Sequence, residues 1–133
     1  MIIGVDPGER RVGIAVADLE TRLARPLEVI DRQETDALLR IAELVDELGA
    51  DRVVVGLPLS LSGRAGSAVT AQASLLAGLR ERLRVPVEEF DERLTSVVAS
   101  QALRAGGAKG SRRRRLIDAV AAQVMLQGYL ESR

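Results

Sequence analysis

The fold is decided by the opening stretch of the sequence, residues 2–17, which reads IIGVDPGERRVGIAVA. It contains two β-rich runs, residues 1–7 and 12–18, separated by Pro7-Gly8-Glu9-Arg10-Arg11. Because a crossover between strands needs about a dozen residues or more, so short a separation predicts a β-hairpin. A third apolar run, Pro26 to Ile30, extends the hairpin into an antiparallel meander.

Beyond the meander, helical and strand patterns alternate. The predicted elements are a helix at 36–48 that ends at Gly49, a strand at 52–56, a helix from 67 to about 84, a strand at 85–90, a helix from 95 to about 106, and a last helix at 113–131. The apolar face predicted for the last helix consists of Leu116, Ile117, Val120, Ala121 and Val124. This order predicts an α/β layer fold with a mixed sheet, in one domain spanning residues 1–133.

Asp6 follows the apolar run Ile2 to Val5 and therefore ends the first strand, on the same face as Gly4. A half-buried carboxylate needs a paired cation or a metal, because removing its charge from water is costly. Two interpretations stay open for Asp6 taken alone. The carboxylate either binds a metal or caps the Pro7-Gly8 turn through an Asx hydrogen bond.

Two further acids are predicted to lie near Asp6. Right-handed crossovers place the later strands parallel to the first and beside it, so their carboxyl ends share one edge of the sheet. Glu92 follows the last of these strands, and Asp118 lies in the final helix beside the small residues Ala121 and Ala122. Alternatively, Glu92 is a solvated partner of Arg93, and Asp118 is an acid of the first helical turn favoured by the helix dipole.

Three converging carboxylates would repel one another unless a cation neutralised them. Mg²⁺ or Mn²⁺ prefers oxygen ligands, and a metal pair activates water for attack on a phosphodiester. The sequence has no cysteine and no histidine, which excludes disulfides, thiolate nucleophiles, cysteine-bound zinc and histidine general bases. Any catalysis therefore depends on carboxylates, hydroxyl groups, lysine or arginine side chains, or a metal held by oxygen ligands.

The net charge of the chain is zero, but one segment is strongly basic and favours a polyanionic partner. Residues 104–115 contain six basic side chains and no acid, namely Arg104, Lys109, Arg112, Arg113, Arg114 and Arg115. This segment is predicted to be a flexible basic loop that suits a phosphate backbone, with a solubilising surface loop as the alternative. No apolar run approaches the roughly 18 residues of a membrane span, and no leader precedes Met1, so we expect a cytoplasmic protein without a membrane partner.

Four motifs, in this order, resemble the YqgF/RuvX family of RNase H-like nucleases, described as Holliday junction resolvases and pre-16S rRNA nucleases. They are DPGERRVGIA from Asp6, VVGLPL from Val54, DERLTS from Asp91 and DAVAA from Asp118. The resemblance implies a ribonuclease H-like fold with a five-stranded mixed sheet of order 3-2-1-4-5, the second strand antiparallel, flanked by helices.

The resemblance also implies residue roles. Asp6, Glu92 and Asp118 match the catalytic, metal-binding acids, with Asp91 as a further candidate ligand. Arg10 falls where the family has a basic residue after the turn. The nucleic-acid-binding residues expected are Arg10, Arg11, Lys109 and Arg112 to Arg115.

Several functions remain open at this point. The favoured one is Mg²⁺- or Mn²⁺-dependent processing of the 5′ end of pre-16S rRNA, and its close variant is resolution of branched DNA, by a monomer or a homodimer. The Asp6-Pro7-Gly8 turn is also similar to that of actin-like phosphotransferases, but those proteins close two such domains over a nucleotide, and 133 residues supply one. The last alternative is a non-catalytic nucleic-acid-binding module.

Overall fold

A computed structural model of the chain describes residues 1–57, 67–91 and 111–133. Five strands form one sheet: β1 (Ile2–Pro7), β2 (Arg11–Ala17), β3 (Ala24–Asp31), β4 (Arg52–Leu57) and β5 (Val87–Asp91). The strand order is β3-β2-β1-β4-β5, as predicted. β2 is antiparallel to β1 and β3, whereas β4 is parallel to β1 and to β5.

The hairpin between β1 and β2 is confirmed. Pro7 pairs with Val12, and the backbone N–H of Gly8 donates to the carbonyl of Arg11 at 2.9 Å. A Cβ atom on Gly8 would lie 2.7 Å from that same carbonyl oxygen, so only glycine fits this turn. The spacing of the opening stretch therefore fixes a tight connection directly after Asp6.

Three helices are described: α1 (Ala37–Leu48), α2 (Ser67–Arg82) and α3 (Ser111–Glu131). The Asp36 carboxylate caps α1 by accepting from the backbone N–H groups of Leu38 and Leu39, and Gly49 ends α1 with a left-handed φ of 61°. The last helix begins at Ser111, two residues before the predicted start at 113, so Arg112 lies in its first turns together with Arg113 to Arg115. The predicted basic loop therefore ends before Arg112. Arginine is a good helix former, which accounts for this extension.

The core lies on both faces of the sheet. The face covered by α1 and α2 buries Ile3, Val5, Val53 and Val55, together with residues such as Ile41 and Leu79 of the helices. The face covered by α3 is built from smaller side chains of the sheet, and its cluster includes Ala15, Ala17, Ala24, Ala122, Met125, Leu126 and Tyr129. The alternation of β1 thus sends Ile3 and Val5 to one face and Ile2 to the other.

The predicted apolar face of α3 is wrong. Ala119, Ala122, Leu126 and Tyr129 are buried, whereas Ile117, Val120, Ala121 and Val124 are only partly buried. The reason is steric: a Cβ on Gly4 would lie 2.9 Å from the Cβ of Leu126, so the helix packs where the sheet offers glycine and alanine. The sheet therefore admits the backbone of α3 closely at its glycine and alanine positions, and the helix buries Ala119 and Ala122 together with the larger Leu126 and Tyr129.

Within these described ranges, no helix has both the length and the hydropathy needed to cross a bilayer. Glu92, Lys109 and the helix predicted between residues 95 and 106 fall outside the part of the chain that the structure describes.

Candidate functional site

The candidate site lies at the edge of the sheet where the parallel strands end. β1, β4 and β5 run in the same direction, so Pro7, Leu57 and Asp91 mark a common edge. Open α/β sheets bind ligands at the carboxyl ends of their strands. Asp6 stands one residue before the end of β1 and is half-buried there.

Asp6 faces the last helix. It pairs across the hairpin with Gly13, and directly opposed residues of antiparallel strands point to the same face. A Cβ atom on Gly13 would lie 2.0 Å from the backbone oxygen of Asp118, so Gly13 is in contact with α3. Gly4, which shares its face with Asp6, also lies under α3. Asp6 and Asp118 therefore lie on the same face of the sheet, with the backbone of Asp118 over the strand position opposite Asp6.

Two glutamines dock α3 on the start of β3. Gln123 donates through Nε2 to the carbonyl of Ala24 at 3.1 Å, and the backbone N–H of Ala24 donates to Oε1 of Gln127 at 2.8 Å. These bonds satisfy backbone groups of an edge strand and fix the helix along its axis. Together with the contact at Gly13, they determine the position of Asp118.

Asp118 forms an ion pair with Arg11, the first residue of β2. The Nε atom of Arg11 lies 3.0 Å from Oδ2 of Asp118, with 27% and 33% of the two side chains exposed. Oδ2 itself is buried, and it lacks a hydrogen-bond partner of good geometry among the described residues, so the contact is electrostatic and not an aligned hydrogen bond. Burial raises the pKa of the Asp118 carboxyl, and the Arg11 guanidinium partly offsets this rise.

The observed start of α3 bears on the dipole interpretation of Asp118. The helix begins at Ser111, which places Asp118 at the start of the third turn, and no acidic residue lies in the first turn. The dipole stabilises charges within the first turn. The position of Asp118 is therefore better explained by its contacts with Arg11 and Gly13 than by the helix terminus.

Asp91 lies on the other face of the sheet. Phe90 packs edge-on against Tyr129 of α3, with ring centroids 5.8 Å apart, whereas Val87 packs against the cluster under α1 and α2. Alternation along β5 places Asp91 with Val87 and opposite to Phe90. Asp91 thus shares the edge with Asp6 but not its face, an arrangement that does not favour Asp91 as a ligand shared with Asp6 and Asp118.

The turn after Asp6 is rich in arginine. Arg10 is 60% exposed, and its Nη2 lies 3.5 Å from Oδ2 of Asp31. Arg32 donates through Nη1 to the carbonyl of Gly8 at 3.1 Å, and its backbone N–H donates to the carbonyl of Arg10 at 2.8 Å. Of the predicted nucleic-acid-binding residues, Arg10 is thus an exposed cation at the site edge, whereas Arg11 contacts Asp118.

A site for Mg²⁺ or Mn²⁺ needs oxygen ligands, and the acidic side chains of this edge are the groups that could provide them. The described ranges contain no group of three or more acidic side chains arranged to hold a metal ion, and Glu92, the third predicted ligand, lies outside them. One feature favours a cation: the buried Oδ2 of Asp118 retains lone pairs that no described hydrogen bond uses. The donor type therefore fits Mg²⁺ or Mn²⁺, which prefer carboxylate oxygens.

Two residues of the site escaped the sequence argument. Gly13 admits the backbone of α3, and Arg32 holds the turn that follows Asp6. Gly13 could have been found, because a glycine inside a strand often marks the close approach of another backbone. Arg32 gives no such signal, since its partners are carbonyl groups of a distant turn.

The chain is similar to known proteins over nearly its whole length. A family model described as "RuvX: Holliday junction resolvase" matches residues 1–132. A curated relative from Chloroflexus aggregans, named "Putative pre-16S rRNA nuclease", is 47% identical over 133 residues, which cover 99% of this chain and 94% of the relative. A relative of the same name from Desulforudis audaxviator is 41% identical, with the same coverage.

Solved structures with a similar fold are nucleic-acid resolvases. Thermus thermophilus RuvC in complex with a Holliday junction substrate has a TM-score of 0.58 and 20% identity, covering 99% of this chain and 94% of that one. The fowlpox virus resolvase with Holliday junction DNA has a TM-score of 0.58 and 13% identity, covering 98% and 97%. These likenesses confirm the ribonuclease H-like fold.

Proposed function

Because the chain belongs to the RuvX family over residues 1–132, we propose that it is a divalent-metal-dependent nuclease that hydrolyses phosphodiester bonds of structured nucleic acid. The proposed substrate is pre-16S rRNA, since that RNA appears in the name of both relatives described above. The proposed cutting position, the 5′ end of the precursor, is implied by the family resemblance. The observation that carries the proposal is the meeting of Asp6 and Asp118 on the α3 face of the sheet, across Gly13.

The proposed catalytic and metal-binding residues are Asp6, Asp118 and Glu92. Asp91, the further ligand predicted from the sequence, is not included, because it lies on the opposite face of the sheet. When bound, Mg²⁺ or Mn²⁺ activates the attacking water and stabilises the leaving oxygen of the phosphodiester. Asp6 and Asp118 supply oxygen ligands from two separate elements, a strand and a helix. The rigid contact at Gly13 holds these elements in register, which is the preorganisation that a catalytic site needs.

Binding of the substrate is assigned to basic residues near the same edge. Arg10 offers an exposed guanidinium on the turn directly after Asp6. Arg112 to Arg115 occupy the first turns of the helix that carries Asp118, and Lys109 precedes that helix in the sequence. Phosphate contacts of this kind position a nucleic acid and make its binding salt-dependent.

The proposal is tested by cleavage assays with purified protein, precursor rRNA, a synthetic four-way junction and single-stranded controls, in Mg²⁺, Mn²⁺ or chelator. We expect cleavage only with metal, and its loss in Asp6→Asn and Asp118→Asn while nucleic-acid binding is retained. Asp46→Asn, which changes an exposed aspartate of α1, is the matched control and should cleave normally. Metal-dependent cleavage that survives Asp6→Asn would contradict the mechanism.

Resolution of branched DNA is the second candidate function, favoured by the description of the family model that matches the chain. The same carboxylates and metal would hydrolyse either backbone, so the two functions differ in substrate and not in chemistry. Symmetrical cutting of a four-way junction calls for a two-fold dimer. Cleavage of the junction in the assay above, together with a dimer in sedimentation, would support the resolvase; a monomer that cuts only precursor rRNA would exclude it.

A further inference from the structure

The ion pair between Arg11 and Asp118 brings a cation to the oxygen that the proposed metal would use. Nε of Arg11 lies 3.0 Å from the buried Oδ2 of Asp118, on the α3 face where Asp6 also lies. A half-buried carboxylate is destabilised without a counter-charge. In the metal-free protein, the guanidinium of Arg11 supplies that charge.

The contact differs from the structural arginine bridges of the same chain. Arg40 donates through Nε and Nη2 to both carboxylate oxygens of Glu28, at 2.9 and 2.8 Å, which is the bidentate geometry of a strong and specific pair. Arg52 donates through Nη1 to the hydroxyl of Tyr129 at 2.7 Å. The Nε atom of Arg11 lies 3.0 Å from Oδ2 of Asp118 without good hydrogen-bond alignment. Asp118 therefore holds Arg11 less firmly than Glu28 holds Arg40.

A divalent ion bound to Oδ2 would repel a guanidinium about 3 Å from the same oxygen, because the interaction of a double positive charge with a single one is large at short range. From this competition, we propose that Arg11 is the resident counter-cation of Asp118, which a divalent ion displaces when it binds. Arg11 is thus a positioning residue that sets the affinity of the site for metal. This inference rests on the proposed function, because it requires Asp118 to be a metal ligand.

Displacement has a consequence at the edge of the site. Arg11 directly follows Arg10, whose side chain is 60% exposed on the turn after Asp6. A released Arg11 side chain would add its positive charge to this edge, where the proposed substrate phosphates lie. An anion that attracts Arg11 away from Asp118 would increase the affinity of the site for metal. Because binding linkage is reciprocal, bound metal would increase the affinity for the anion by the same factor.

The test measures Mn²⁺ binding alone, by calorimetry or electron paramagnetic resonance, with no nucleic acid present. Arg11→Gln should bind Mn²⁺ about fivefold or more tightly than wild type, at the lower end of typical coupling factors. Arg82→Gln removes an exposed positive charge from the end of α2, on the other face of the sheet, and is the matched control, with an expected change of less than about twofold. Unchanged or weaker binding by Arg11→Gln, or an equal effect of both variants, would overturn the inference.

The design separates this inference from the proposed function. Asp118→Asn should lose most Mn²⁺ affinity; if it binds Mn²⁺ like wild type, the proposed metal site itself fails. If Asp118→Asn loses affinity while Arg11→Gln does not gain it, only the displacement of Arg11 is wrong. A merely structural role of Arg11 would lower the melting temperature of Arg11→Gln without tightening Mn²⁺ binding.

A second measurement titrates the wild-type protein with metal, so it does not depend on the stability of an Arg11 variant. The Nε resonance of Arg11 in ¹⁵N nuclear magnetic resonance spectra, assigned by its loss in Arg11→Lys, should shift when diamagnetic Mg²⁺ is added, because the guanidinium leaves the carboxylate of Asp118. The Nε resonance of Arg40, which is paired with Glu28, should stay unchanged. An Arg11 resonance that does not move at saturating Mg²⁺ would show that Arg11 stays on Asp118, against the proposal.

Discussion

Replacing Gly13 with alanine tests whether the packing of α3 on β2 positions the site. The new Cβ would lie 2.0 Å from the backbone oxygen of Asp118 and 2.7 Å from its carbonyl carbon, whereas ordinary van der Waals contacts begin at 3.4 Å. Because the clashing atoms belong to a helix backbone, no side-chain rotation relieves the overlap. The helix must withdraw by more than about 1 Å. We therefore expect the free energy of unfolding to fall by about 3 kcal/mol, the upper end of the usual cost of overpacking a core.

The same displacement moves Asp118 away from Asp6. A misplacement of about 1 Å in a catalytic group can lower a rate by roughly a hundredfold. Urea denaturation gives the stability change, and Mn²⁺ affinity and cleavage, measured at a temperature where Gly13→Ala remains folded, give the functional change. We expect both metal affinity and cleavage to fall.

Gly49→Ala separates stability from positioning. Gly49 ends α1 with φ 61°, and no atom would contact an added Cβ within 4 Å, so alanine there is strained without a clash. The strain costs about 1–2 kcal/mol, and the site should be unaffected, because α1 lies on the other face of the sheet. A Gly13→Ala protein with wild-type stability and wild-type Mn²⁺ affinity would refute the argument that close packing positions Asp118.

Further changes test separate features of the molecule. Tyr129→Phe removes the hydroxyl that accepts from Arg52 and donates to Glu88, so it should lower stability by about 1–3 kcal/mol in urea denaturation and leave cleavage unchanged. Asp36→Ala removes the cap of α1 and should lower the free energy of unfolding by about 1 kcal/mol, whereas Asp36→Asn should retain most of the stability that the cap provides. Charge reversal of Arg113 and Arg114 should weaken nucleic-acid binding and reduce its salt dependence; an unchanged salt slope would place phosphate binding elsewhere.

Local patterns were sufficient for most elements of the fold. The short turn between the first two runs dictates the hairpin, since no crossover fits in it, and the alternation of helices and strands dictates parallel pairing of β4 and β5. These features depend on spacing and on the handedness of connections. The meander and the parallel strands therefore followed from local spacing, whereas the full order 3-2-1-4-5 was implied by the family resemblance.

The buried face of α3 could not be read in the same way. Apolar residues occupy more than one side of this helix, so periodicity alone permits the face with Val120 and Val124 as well as the face with Ala119 and Ala122. The buried face of α3 is selected at Gly4 and Gly13, which belong to β1 and β2. Because these glycines have no side chain, the helix packs closely against the sheet there. Packing complementarity of this kind exists only when both surfaces are assembled.

The sequence by itself determined that Asp6 lies near the end of the first strand, beside a tight turn, because strand length and the Pro7-Gly8 pair are local features. Tertiary structure alone decided what Asp6 faces. The register of β1 with β2 places Gly13 opposite Asp6, and the contact of Gly13 with α3 brings Asp118 to the same face with Arg11 on its carboxylate. Electrostatic pairs between residues distant in sequence follow from the final distances between atoms, which no local pattern encodes.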